Sequence, residues 1–119
     1  MESLNNREKG SQYEERAAEF LIGQGLMILE KNYRRKTGEI DLIALDGHYY
    51  VFVEVKFRLK VRKGFPEDAV NPAKQLRIYR TAEWYLKEHG LTFQTPCRFD
   101  VVSILGNDIR HIKNAFGGF

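Results

Sequence analysis

Gly38-Glu39-Ile40-Asp41-Leu42-Ile43-Ala44-Leu45-Asp46-Gly47-His48-Tyr49-Tyr50-Val51-Phe52-Val53-Glu54-Val55-Lys56-Phe57-Arg58 reads as two strands around a tight turn. Glu39 to Leu45 and His48 to Phe57 have strand-like composition, and Asp46-Gly47 between them is a strong hairpin signal. In the second strand Val51, Val53, Val55 and Phe57 alternate with Phe52, Glu54, Lys56 and Arg58, so one face is apolar and the other carries charge. A two-residue loop at Asp46-Gly47 pairs Leu45 with His48, which sets Asp41 opposite Phe52 and Glu39 opposite Glu54. Asp41, Glu54 and Lys56 then share a face, with the two acids diagonal neighbours roughly 7–8 Å apart at the backbone.

Upstream, Met27 to Arg34 reads as a further strand, and Ala17, Ala18, Phe20 and Leu21 recur at helical spacing from Ser11 to about Gln24, with Gly23 and Gly25 marking the exit. Downstream, residues 59–70 contain Gly64 and Pro66 and read as a loop. Asn71-Pro72 then caps a second helix, which carries Ile78, Tyr79, Ala82, Tyr85 and Leu86 on one stripe and stops near Gly90. Arg98 to Leu105 and Ile109 to Ile112, parted by Gly106-Asn107, close the chain as a strand or hairpin. The order is α-β-β-β-α-β with room for one more strand, an α/β pattern built on a mixed sheet flanked by helices.

With 119 residues, 43% hydrophobic and 29% charged, the chain suits one domain over residues 1–119, with no repeat or linker to divide it. No apolar run approaches the length that crosses a bilayer, and Met1 to Gly10 lacks the apolar stretch of a secretory signal, so a cytoplasmic address and no membrane partner are expected. Cys97 is the lone cysteine and His48, His89 and His111 are scattered, which argues against a disulfide or a cysteine-built zinc site. The net charge of +3 is mild; where the charges lie matters more.

Two carboxylates on one face, without histidine or thiolate, favour a hard cation such as Mg²⁺ or Mn²⁺. Lys56 stands where an ammonium can orient water or offset charge at a phosphate. The competing reading is a solvated salt-bridge cluster on a hairpin's wet face, worth little energetically.

Gly10-x-x-x-Glu14-x-x-Ala17, Leu21, Gly25, Asn32, Gly38-Glu39-Ile40-Asp41-Leu42-Ile43, Val51-Phe52-Val53-Glu54-Val55-Lys56-x-Arg58, Lys74 and Phe99-Asp100-Val101-Val102 resemble the bacterial YraN-type family of predicted endonucleases. That family is similar in turn to archaeal Holliday-junction resolvases and PD-(D/E)xK nucleases. The resemblance implies a restriction-endonuclease-like fold and Mg²⁺-dependent cleavage of DNA, with branched or structured DNA as substrate and a homodimer as assembly. It implies that Asp41 is the metal-binding aspartate, Glu54 the second acid, Lys56 the lysine and Glu14 the glutamate of the first helix. Ile40 stands where the motif's name has proline.

Glu14 has two readings: an additional metal ligand beside the buried stripe, or the partner of Ser11 in a capping box. Glu39 lies on the site face and can pair with Lys56 or a nearby arginine. Lys56, Arg58, Lys60 and Arg62 recur with period two, a basic stripe of roughly 20 Å that suits a nucleic-acid backbone or guards a strand edge. Lys74 and Gln75, in the first turn of the second helix, can hold a phosphate. Tyr79, Trp84, Phe93 and Phe99 read as packing residues, and Asp100 as a structural hydrogen-bonding group. A module that binds nucleic acid on the same scaffold without cutting it is the alternative to a nuclease.

Overall fold

In the computed structural model, which describes residues 6–58 and 70–117, two helices flank a five-stranded sheet. The elements are α1 (Asn6–Gly23), β1 (Met27–Arg35), β2 (Gly38–Asp46), β3 (Tyr49–Arg58), α2 (Pro72–Glu88), β4 (Cys97–Leu105) and β5 (Asp108–Phe116). The strands lie in chain order, antiparallel except for the parallel pair β3–β4. A parallel neighbour needs a crossover, which α2 supplies, and the sheet is therefore mixed. The α/β order read from the sequence is present, with β5 as the additional strand.

Asn71 starts α2 as expected: its side-chain oxygen accepts the Lys74 N–H at 2.8 Å and Pro72 follows at the first helical position. The start of α1 differs. The helix begins at Asn6, so Ser11 lies inside it and cannot cap it, and the capping-box reading of Glu14 falls.

Both sheet faces are covered. Ala17, Ala18 and Leu21 of α1 close over Leu42, Ala44, Val51, Val53, Val102 and Ile104, while Ile78, Ala82, Tyr85 and Leu86 of α2 close over Ile43, Phe52, Phe99 and Val101. The charged face of β3 is consequently not wet: Glu54 follows Phe52 beneath α2 and is only 5% exposed. A solvated salt-bridge cluster does not describe such an acid.

The hairpin register corrects the sequence reading. Leu45 pairs with Tyr50 and Asp46 with Tyr49, so Gly47-His48 forms the turn and the strands slide by two residues relative to a Leu45–His48 pairing. Gly47 takes φ +62° at the first loop position, as a type II′ turn requires, and Asp46 is held in the strand by Arg98 Nη1 at 2.8 Å. A slip of one residue would have turned every side chain to the other face; a slip of two leaves the faces unchanged. The β2–β3 pairing ends at Leu42–Val53, so Asp41 has no strand partner there, and its carboxylate takes the Val55 N–H instead.

Strict alternation breaks at Asp41. Ile40 and Ile43 share the core beneath α2 although they stand three positions apart, and Asn32, between the Lys31–Leu42 and Tyr33–Ile40 pairs, has φ +54°. Asparagine is among the few side chains that tolerate this left-handed geometry. Asp41, opposite Asn32, is paired with neither neighbouring strand.

Gly38, just upstream, has φ +147°, and an added Cβ would lie 3.3 Å from Thr81 Oγ1 and 3.4 Å from Arg77 Cβ. Gly38→Ala is therefore expected to lower stability by more than about 1 kcal/mol, read as a fall in the urea midpoint. An unchanged midpoint would show that β2 enters the sheet without this constraint.

Candidate metal centre

Asp41 is held by the backbone it has left. Its Oδ2 accepts the Val55 N–H at 2.8 Å, across the gap where β2 departs from β3. Its position between the two covered faces lets α1 and α2 both reach it. From α1 comes Glu14, and from β2 itself Glu39; one carboxylate oxygen of each of Glu14, Glu39 and Asp41 lies within 4.8 Å of the others. Such a cluster of acids can coordinate a divalent metal. On the α2 side, Glu54 and Asp41 line one cleft of about 120 Å³ with Gly38, Glu39, Lys74, Arg77 and Ile78. That space holds a few waters or a hydrated ion and is too small for a nucleoside.

The charges in this cleft oppose one another. Burial, then the neighbouring charge of Glu54, then those of Glu14 and Glu39 push the Asp41 carboxyl well above its ordinary range, against a lowering from the Val55 N–H. Burial likewise raises Glu14, and a hydrogen bond from the Asn32 side chain partly offsets it. Glu54 has an internal counter-ion: Lys74 Nζ pairs with its Oε1. Glu39 pairs with Arg34 Nε at 3.2 Å. Positive charge is thus supplied at two rims of the cluster, but the Asp41 carboxylate itself faces mainly other acids.

Lys56 projects to the same side of β3 as Glu54, because Val53 and Val55 pack beneath α1 and Phe57 stacks on Tyr13 of that helix at 4.1 Å. It is half-buried. Arg58 continues this side, and its Nη1 is buried without a hydrogen-bond partner among the described residues. Lys60 and Arg62 lie outside the described residues, so the stripe is traced only as far as Arg58. In the first turn of α2 the backbone donors of Lys74 and Gln75 are engaged within the fold, and Lys74 Nζ rests on Glu54. The Lys74 N–H is taken by Asn71 Oδ1, the Gln75 N–H donates to Asn71 O at 3.0 Å, and Gln75 Nε2 donates to Val70 O at 2.7 Å.

Across most of its length, residues 13–104, the chain matches the model of UPF0102, an uncharacterised protein family. The chain belongs to the UPF0102 family. It is 50% identical to a UPF0102 protein of Lachnoclostridium phytofermentans over 98% of both chains. It is also similar to UPF0102 proteins of Clostridioides difficile, at 44% identity over 95% of this chain and all of that one, and of Klebsiella pneumoniae, at 42% over 94% and 88%. UPF0102 is a family of predicted nucleases of the YraN and PD-(D/E)xK type, and the fold agrees with that superfamily.

Two members of this UPF0102 site escape a linear reading. Arg77 lines the cleft one helical turn beyond Lys74, a spacing that helical periodicity could have offered. Asn32 orients Glu14, and its signal was the tolerance of asparagine for left-handed backbone. Trp84 corrects the packing assignment: it is 48% exposed, whereas Phe99 is buried and Tyr79 stacks on Phe93 at 4.5 Å against the core. No helix among the described residues is long and apolar enough to cross a membrane.

Proposed function

We propose that this chain is a divalent-metal-dependent nuclease that hydrolyses phosphodiester bonds in DNA of branched or otherwise structured form. The observation that carries the proposal is the convergence of Glu14, Glu39 and Asp41 on one point beside the buried Glu54, with acid facing acid. An all-oxygen donor set whose central carboxyl is destabilised by its neighbours fits Mg²⁺ or Mn²⁺. A bound ion would place positive charge against a phosphate oxygen and make water a better nucleophile at neutral pH.

The residues divide the remaining work. Asp41, with Glu14 from α1 and Glu39 from β2, would hold the ion, and Glu54 would join them on giving up the Lys74 ammonium. Released from Glu54, Lys74 becomes a donor to a phosphate oxygen. Lys56 orients the attacking water and offsets the charge that builds on phosphorus as one P–O bond forms and the other breaks. Arg58 extends positive charge along β3 toward the neighbouring phosphates.

The test is an incubation of the purified protein with Mn²⁺ or Mg²⁺ and a panel of linear, nicked, flapped and four-way DNA, with RNA alongside. Cleavage of a structured DNA is expected, lost in EDTA and in Glu54→Gln and Lys56→Ala. Salt-sensitive binding without cleavage of any substrate would leave a nucleic-acid-binding module on the same scaffold. Independently of substrate, Mn²⁺ at a hundred times its Kd should stabilise the fold by about 2.7 kcal/mol. A thermal shift seen in the wild type and absent from Asp41→Asn reads this directly; equal shifts in both would place the ion elsewhere.

A further inference from the structure

We propose that the exposed ridge of α2, together with the β1–β2 turn beside it, binds an unpaired nucleic-acid strand, one base stacking on Trp84 while Lys36, Arg77, Arg80 and Lys87 engage the phosphates. The inference deepens the nuclease reading and rests on it only for the direction in which the strand is led.

Arg77, Arg80, Trp84 and Lys87 are spaced by three, four and three residues, which sets them on one stripe of the helix, and all four are exposed. From Arg77 to Lys87 the stripe runs about 15 Å at 1.5 Å per residue, long enough to meet several phosphates. Its near end is the cleft, where Arg77 stands with Asp41 and Glu54. Its far end is a hollow of about 430 Å³ bounded by Trp84, Arg35, Lys36 and Glu88. That volume suits a planar base laid on the indole face.

Charge selects the occupant. None of the ion pairs among the described residues engages Lys36, Arg77, Arg80 or Lys87. Glu88, the acid that lines the hollow with Trp84, is already taken: Arg35 donates to it through Nε at 2.8 Å and Nη2 at 2.6 Å, and Tyr33 donates its hydroxyl. Lys87 Nζ lies over one face of the Trp84 ring, 5.8 Å from its centroid, which sets a cation on one side of the indole and leaves the other for a base. An aromatic face among unpaired cations matches a strand that offers both bases and phosphates, whereas an apolar protein partner would leave four cations to be desolvated.

Trp84 is the sole tryptophan of the sequence, so its fluorescence reads this surface directly. The full chain is titrated in EDTA with an oligothymidylate of about fifteen nucleotides, near the upper site size for such grooves. Quenching of Trp84 is expected, and Arg80→Glu combined with Lys87→Glu should weaken binding about ten-fold or more and reduce the log–log salt slope by about 1.4. Trp84→Ala, followed by anisotropy of a labelled oligonucleotide, should bind about five-fold or more weakly. Binding that leaves the indole signal unchanged overturns the proposal, as does no binding at all. Polyglutamate of matched charge that quenches equally overturns it in favour of an acidic-peptide surface. Because the titration uses no metal, quenching without cleavage in the nuclease assay sinks the enzyme reading alone, and cleavage with a silent indole sinks this one alone.

Discussion

Asp41→Asn is expected to lose metal-dependent cleavage by on the order of 10²–10³-fold or more, and to melt at a higher temperature than the wild type. The two effects have one origin. The Asp41 carboxyl is held above its ordinary range by burial and by Glu54, Glu14 and Glu39, so its ionised form opposes folding. Its native pKa exceeds the unfolded one, about 3.9. Between those two values the native state binds more protons than the unfolded chain, and stability falls as pH rises through the window. Asparagine keeps an oxygen to accept the Val55 N–H and carries no charge. Recovering even one pKa unit is worth about 1.4 kcal/mol, roughly 5 °C in a protein of this size. Circular-dichroism melts of both proteins between pH 4 and 9 without metal provide the check. A variant that melts below the wild type throughout would mean that Asp41 serves the fold, and the proposed site would lose its centre.

Asp100→Ala is expected to cost about 3–5 kcal/mol, a large part of the 5–15 kcal/mol that holds a typical domain together. Asp100 is 0% exposed and is met by three donors. Arg98 Nε lies 3.1 Å from both of its oxygens, His111 Nε2 lies 2.6 Å from Oδ2, and the Asn114 N–H lies 2.9 Å from Oδ1. A carboxylate only accepts, so His111 carries its proton on Nε2. Arg98 goes on to Asp46 at the β2–β3 turn, so one buried acid joins the hairpin, β4 and β5. Alanine would leave Arg98 and His111 buried without that acceptor. A fall in melting temperature of roughly 12–20 °C is expected, with a smaller one for Asp100→Asn, which retains an acceptor oxygen. If Asp100→Ala melts within a degree or two of the wild type, this network does not hold the sheet together. Because Asp100 lies away from the cleft, metal binding by the folded variant should be unchanged.

The element order was legible because each signal is local. Asn71-Pro72 fixes a helix start through one side-chain oxygen and one constrained φ, and the alternation of Val51, Val53 and Val55 sets the direction of Glu54 and Lys56 whatever pairs with them. Glu54 and Lys56 keep their common side despite a two-residue error in register because strand faces repeat every two residues. Asp100 was likewise read as a hydrogen-bonding group from its strand context, and its donors bear this out.

What lay beyond the sequence depends on partners far apart in the chain. That Glu54 is buried and answered by Lys74 follows from the crossover laying α2 over β2 beside β3, and that Glu14 meets Glu39 and Asp41 follows from α1 packing on the other face of the same sheet. Trp84 has the composition of a core residue and the position of a surface one, a matter settled by which stripe of α2 meets the sheet. Periodicity along a chain tells which side chains point the same way. How deep they sit, and which charges must face one another without water between them, is decided only when the layers close.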